Sequence, residues 1–190
     1  MSQSDIVPQE QKTQIAVGQR GMRLQTIDDV YRFAKCLSMS GMAPKGMEKP
    51  EAIVIAVQLG MEVGLAPMQA VQNIAVINGR PSVWGDAAKG LVIASKTCIQ
   101  FEEGFEGKPG TDDYCATCTV HRVNCAPVER RFSVSDAKRA QLWGKQGPWT
   151  QYPARMLQMR ARSWAIRDEF PDVLKGLNIR EEIRDFIDVT

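Results

Sequence analysis

The chain has no run of about 20 apolar residues able to cross a bilayer, and its opening MSQSDIVPQEQ lacks the basic and apolar parts of a signal peptide. A cytoplasmic protein with no membrane partner is therefore expected. Histidine is nearly missing: the single His121 excludes an HExxH metalloprotease site and leaves a hydrolase triad without a natural base. No G-x-x-x-x-G-K-[ST] loop is present, so an ATP-driven motor is not expected, and apart from the two metal-based alternatives weighed below no enzyme signature is present; the expectation is a protein that is not an enzyme and has no cofactor. Cys36, Cys98, Cys115, Cys118 and Cys125 make an odd number, in a chain long enough to bury a core without staples. Reduced thiols fit better than a disulfide framework. No internal repeat or low-complexity tract appears.

A further shortage is local. From Ala137 to Arg167 there are seven of the 24 basic residues and none of the 22 acidic ones, so the rest of the chain is net acidic although the whole carries +2. Within that span, GKQGPWTQYPARMLQMRARSWAIR (144–167) combines five cations with Trp149, Tyr152 and Trp164. Charge polarity of this kind points to a polyanionic partner met by one region.

The pattern along the chain predicts an α+β fold in which a β-hairpin and a small antiparallel sheet pack with helices, among them a long C-terminal helix. Residues 1–23 are polar and without a period, which predicts a flexible N-terminal arm preceding one domain at 24–190. Thr26 is placed to cap a helix with an apolar stripe of Ile27, Val30, Tyr31, Ala34 and Leu37. EAIVIAVQLGMEVG reads as a mostly buried helix, and Pro67 as the opening of a short third one. Asn78-Gly79 between two β-type runs predicts a two-residue hairpin with Arg80 and Trp84 on its return strand. Asp86 is then expected to cap a helix, CIQFEE to form a strand, and GFEGKPGTDD a loop. YCATCTVHRV and VERRFSV read as strands, Ser135 as the cap of DAKRAQLW, and residues from about Thr150 or Pro153 to Asp168 as the long helix.

Two metal-based readings compete with a metal-free nucleic-acid-binding surface. Cys115, Cys118, His121 and Cys125 have zinc-ligand side chains, so a zinc-stabilised nucleic-acid-binding module is one alternative. In a strand, however, residues three apart face opposite sides, so Cys115 and Cys118 diverge and act as small apolar residues. A metal-dependent nuclease using Asp86, Glu106 and Lys108 is the other, because such enzymes hold a divalent ion on two carboxylates and steady the attacking water with Lys. Asp86 is equally explained as a helix cap, and Lys108 as a solvated loop charge.

Cations neutralise phosphates without regard to sequence, and aromatic rings stack on exposed bases at about 1 to 3 kcal/mol each. Trp143, Trp149, Tyr152 and Trp164 either serve that purpose or anchor the core. At 100° per residue Arg155 and Arg162 fall on one line of the long helix, and Arg160 and Arg167 on another roughly 130° away. Leu157, Ala161 and Trp164 form an apolar stripe on a third face, which assigns Trp164 to the core. One arginine line is expected to face phosphate and the other to pair with carboxylates.

GLAPMQAVQNIAVINGRPSVWGDAAKGLV and RFSVSDAKRAQLWGKQGPWTQYPARMLQMRARSWAIRDEFPDVLKG, with the order of elements over residues 26–177, resemble the phage RecT/Beta-type single-strand annealing recombinases. The resemblance implies a RecT/Redβ-like annealing core, encoded by a phage or prophage and acting in its bacterial host. It implies ATP-independent binding of single-stranded DNA, pairing with a complementary strand to give annealed duplex, and assembly into a homo-oligomeric ring or helical filament. A phage exonuclease and the host single-strand-binding protein are the implied partners. Charge, aromatic content and predicted location together nominate Arg80, Lys89, Arg130, Arg131, Lys138, Arg139, Lys145, Arg155, Arg160 and Arg162 for phosphate contact. Trp84, Trp143, Trp149 and Tyr152 are nominated as wedges or stacking platforms.

Overall fold

The computed structural model describes residues 16–18, 21–77 and 79–187. Part of the expected N-terminal arm is structured: β1 (Ala16–Gly18) and β2 (Gly21–Arg23) pair as an antiparallel ribbon, and the rest of that segment lies outside the described residues. Next come α1 (Ile27–Met39), α2 (Pro50–Glu62) and α3 (Pro67–Asn73). The hairpin strands are β3 (Ile74–Ile77) and β4 (Arg80–Val83), followed by α4 (Gly85–Ala94). A sheet then forms from β5 (Cys98–Glu106), β6 (Cys115–Arg122) and β7 (Val128–Ser133). The chain continues through α5 (Val134–Arg139), α6 (Pro148–Gln151), α7 (Pro153–Glu169) and α8 (Pro171–Leu174). It closes with the two-residue strand β8 (Asn178–Ile179) and α9 (Arg180–Ile187). The α+β expectation holds, including the long C-terminal helix.

Local chemistry explains the boundaries. Thr26 Oγ1 accepts from the Asp29 amide at 3.1 Å while Asp29 Oδ2 accepts from the Thr26 amide at 3.1 Å, a reciprocal box that starts α1 as expected. Its stripe is shorter than predicted, because Ala34 and Leu37 are buried but Ile27 is 79% exposed. In α2 one side is buried through Ile53, Ala56 and Val57, whereas Ile55 and Met61 are exposed, so burial is less complete than its composition implied. Gly60 is where α2 meets α3: a Cβ there would lie 2.2 Å from that of Ala70. The hairpin pairs Ile77 with Arg80, leaving the two-residue connection that Asn-Gly predicts; Gly79 takes φ +72°, and Asn78 lies outside the described residues.

Three boundaries are corrected. β5 runs on through Gly104, Phe105 and Glu106, because all three pair with β6, so the expected loop begins at Gly107. Ser133, not Ser135, caps α5, its hydroxyl accepting from the Asp136 amide at 3.0 Å while Asp136 bonds back to the Ser133 amide at 2.9 Å. Trp84 is the residue before α4, so it lies just past β4, and Asp86 sits inside the first turn.

The β5–β6–β7 sheet has two unlike faces. Cross-strand partners share a face, so Phe101 and Glu103 stand with Cys118, Val120, Arg130 and Phe132, while Glu102 and Glu106 stand with Cys115, Thr117, Glu129 and Arg131. The first face meets α7; the second is largely polar. On its other sides α7 meets α4, α8 and α9, so it is the central helix of the domain. Buried residues follow one another almost without a gap from Met156 to Ile166. No single helix among the described residues is long and apolar enough to cross a membrane.

Candidate functional site

The arginines of α7 sort by what lies opposite them. Arg162, with 3% of its side chain exposed, places Nε 2.7 Å from Glu103 Oε1 and Nη2 2.9 Å from Oε2, a two-pronged bond to one carboxylate. Its Nη1 lies 2.5 Å from Asp86 Oδ1, and Arg155 Nη2 reaches the same oxygen at 2.7 Å. Lys89 bonds Glu103 Oε2 at 2.5 Å and sits 4.7 Å above the Phe101 ring. Desolvation weighs most against ionisation, both at the buried Glu103 and at Asp86, although the Asp86 side chain keeps 73% of its surface exposed. The bonds and charges of Arg162 and Lys89 on Glu103, and of Arg162 and Arg155 on Asp86, together outweigh it and hold both carboxyls below their ordinary range. This network joins α4, β5 and α7.

Lys89 and Arg162 are therefore structural, and Asp86 is a salt-bridge partner, with no capping bond from the residue ahead of α4. Arg160 is also buried, over the Phe132 ring at 6.0 Å. Arg167 pairs with Glu182 at 2.5 Å. Both predicted arginine lines thus send one member inside, because α7 is enclosed by the sheet on one side and helices on the other. The expected stripe fails at Trp164, which is 38% exposed and packs edge-on to Phe132 at 5.1 Å, while Leu157 and Ala161 are fully buried. Trp149 is core, tilted against Phe132 at 6.3 Å, and Trp143 packs half-buried against that core. Neither is a surface platform.

Other nominated cations lie apart from α7's entrance, each beside an acid. Arg130 bonds Asp168 at 2.6 Å, Lys138 bonds Asp112 at 2.5 Å, and Arg139 lies 3.4 Å from Asp136. Arg131 stands on the polar face of the sheet between Glu106 and Glu129. Glu106 is three residues from Glu103 in the same strand and faces the other way, so Asp86 and Glu106 lie on opposite sides of the sheet. Lys108 is exposed beyond it. Cys115 and Cys118 diverge as expected, Cys118 facing the core, where burial pushes its thiol up to about 12. His121 Nε2 lies 3.0 Å from the Cys125 carbonyl oxygen. Among the described residues no three His, Cys, Asp or Glu side chains gather as a metal site.

What the fold does bring together is a partly open cavity of about 250 Å³. Trp84, Trp149, Met156 and Met159 give it apolar walls; Lys145, Arg155 and Arg180 supply positive charge, and Asp86 and Glu181 negative charge. Parallel pairing of β4 with β8 sets Val83 opposite Ile179, so the next residues, Trp84 and Arg180, emerge side by side. The Arg180 guanidinium stacks on the Trp84 ring at 3.6 Å. The Gly85 amide donates to both Glu181 carboxylate oxygens, at 3.2 and 3.0 Å, and burial raises the pKa of that carboxyl. A second depression, of about 300 Å³, shares Trp84 and Arg180 and is lined by Lys45 and the β3 strand. Tyr152, 67% exposed, immediately precedes α7, three residues before Arg155, and Arg80 is exposed at the start of β4.

Of the nominated residues, Trp84, Lys145, Trp149 and Arg155 meet at this cavity. Arg180, Glu181 and Lys45 are absent from the sequence-based set. Arg180 and Glu181 sit in IREEIRDF, whose acidic composition gives no local sign that a strand pairing across almost a hundred residues delivers them to Trp84. No family model matches this chain, and no curated protein or solved structure does.

Proposed function

We propose that this protein is an ATP-independent single-stranded DNA-binding and annealing protein, acting as a homo-oligomeric ring or filament in the recombination of phage DNA. The observation that carries the reading is the Trp84–Arg180 stack, a shared wall between two depressions whose other cations are Lys145, Arg155 and Lys45. Cations spaced along a groove hold successive phosphates, and a ring at its centre gives a base something flat to rest on. Arg155 is oriented by Asp86 yet keeps much of its surface in solvent, so it stays available to an anion. The resemblance of residues 26–177 to the annealing recombinases supports the same reading. Annealing then needs no covalent step: neutralised strands approach, and bases outside the groove test for complementarity. The cations nominated on the sheet and on α5 lie elsewhere, beside carboxylates, and contribute less to the strand path.

The test mixes the protein with complementary oligonucleotides without ATP, follows duplex formation, and sizes the protein by light scattering. Duplex forming faster than in buffer, with oligomers present, is the expected result. Pairing no faster than in buffer would overturn the reading. Strands shortened in the presence of magnesium would replace it with a nuclease.

A further inference from the structure

Resting on that reading, we infer that the cavity beside Trp84 captures one nucleobase carrying an exocyclic amino group, while the neighbouring bases of the strand stay outside for pairing. The volume sets the first limit. Drug-sized ligands need about 300 Å³ or more. A cavity of about 250 Å³ falls below that range and is on the scale of a single heterocycle. The walls set the second. Met156, Met159 and Trp84 are flat or pliable apolar surfaces, which accept a ring without demanding one outline.

Charge gives the orientation. Lys145 and Arg155 also line the cavity, so a base inside leaves its flanking phosphates near two cations. Asp86 supplies the chemical preference: among the described residues both of its arginine bonds fall on Oδ1, so Oδ2 can accept a further hydrogen. Adenine and cytosine present an amino donor where thymine presents a carbonyl oxygen and a methyl group. Glu181 is the second acceptor in the cavity. Removing a base from the stack costs least in a single strand, which matches a protein that meets DNA before it is paired.

The test compares affinities of the full chain for four strands of equal length and charge: oligo-dC, oligo-dA, oligo-dT and a strand of abasic residues. The expected result is oligo-dC and oligo-dA binding more tightly than oligo-dT, and the abasic strand binding about tenfold more weakly than oligo-dC. Trp84→Ala should narrow the gap between oligo-dC and the abasic strand, and Trp84→Phe should restore it. Equal affinity for oligo-dC and oligo-dT, or for the abasic strand and oligo-dC, would overturn the base pocket and leave strand binding intact. Failure of all four strands to bind would overturn both.

Discussion

Arg155 and Arg162 stand two turns apart on one side of α7 and bond the same Asp86 oxygen, yet Arg162 has 3% of its side chain exposed and Arg155 has 44%. The inner arginine also fills both oxygens of Glu103; the outer one borders a cavity with Lys145 and Trp84. One sequence pattern therefore gives two regions, a buried ionic clamp and a solvent-facing groove. What separates them is how much carboxylate and protein lies opposite, which periodicity along one helix does not encode.

Removing Arg162 should produce the largest effect. Arg162→Ala leaves Glu103 buried beside Lys89 alone and is expected to cost about 3 to 5 kcal/mol in urea denaturation. Arg155→Ala, at an exposed pair, should cost less than about 1 kcal/mol. Similar losses from both would erase the distinction between clamp and groove.

Acid separates the regions by sign. Glu103 and Asp86 have lowered folded-state pKa values, so their contribution is present above the ordinary carboxylate range and is lost as pH falls through the lowered values. Glu181 is raised, so its ionisation weakens the fold as pH rises through its folded value, and protonation relieves that cost. Arg162→Met should flatten the acid limb of the stability profile, and Glu181→Gln should remove only the part of opposite sign. A wild-type acid limb retained by Arg162→Met would show that the clamp does not set it.

Trp84 tests the groove alone. Trp84→Ala should weaken single-strand binding by about 1 to 3 kcal/mol, measured by fluorescence anisotropy, with an urea midpoint close to wild type. Arg155→Ala or Lys145→Ala should weaken binding to every sequence alike and reduce the slope of log affinity against log salt by about one. An unchanged slope in both would detach the groove from phosphate.

How far these regions could be read in advance follows from the range of the forces involved. Short-range chemistry was legible: Thr26 capping α1, the Asn-Gly hairpin and the long helix all stand where their residues place them. The cap of α5 was also visible, since Ser133 and Asp136 have capping-box spacing, but Ser135 stood closer to the basic run. The burial of Arg160 and Arg162 was not legible, because a helix with three arginines in eight residues reads as a surface element until two layers enclose it. Trp84 was found by its place beside the hairpin. Its partner Arg180 comes from the β4–β8 pairing, a contact without local signature.

The smallest effect is expected on the far face of the sheet, and it is the control for everything above. Arg131 belonged to the sequence-based phosphate set on charge and predicted location, but its guanidinium faces Glu106 and Glu129, with Glu102 on the same side. A strand approaching that face meets more negative charge than positive. Arg131→Ala should leave single-strand affinity and its salt slope unchanged and shift stability by less than about 1 kcal/mol, because Arg131 and both of its partners are solvent-exposed. A loss of affinity matching that of Arg155→Ala would extend the DNA path across the sheet and end the separation between the two sides of the domain.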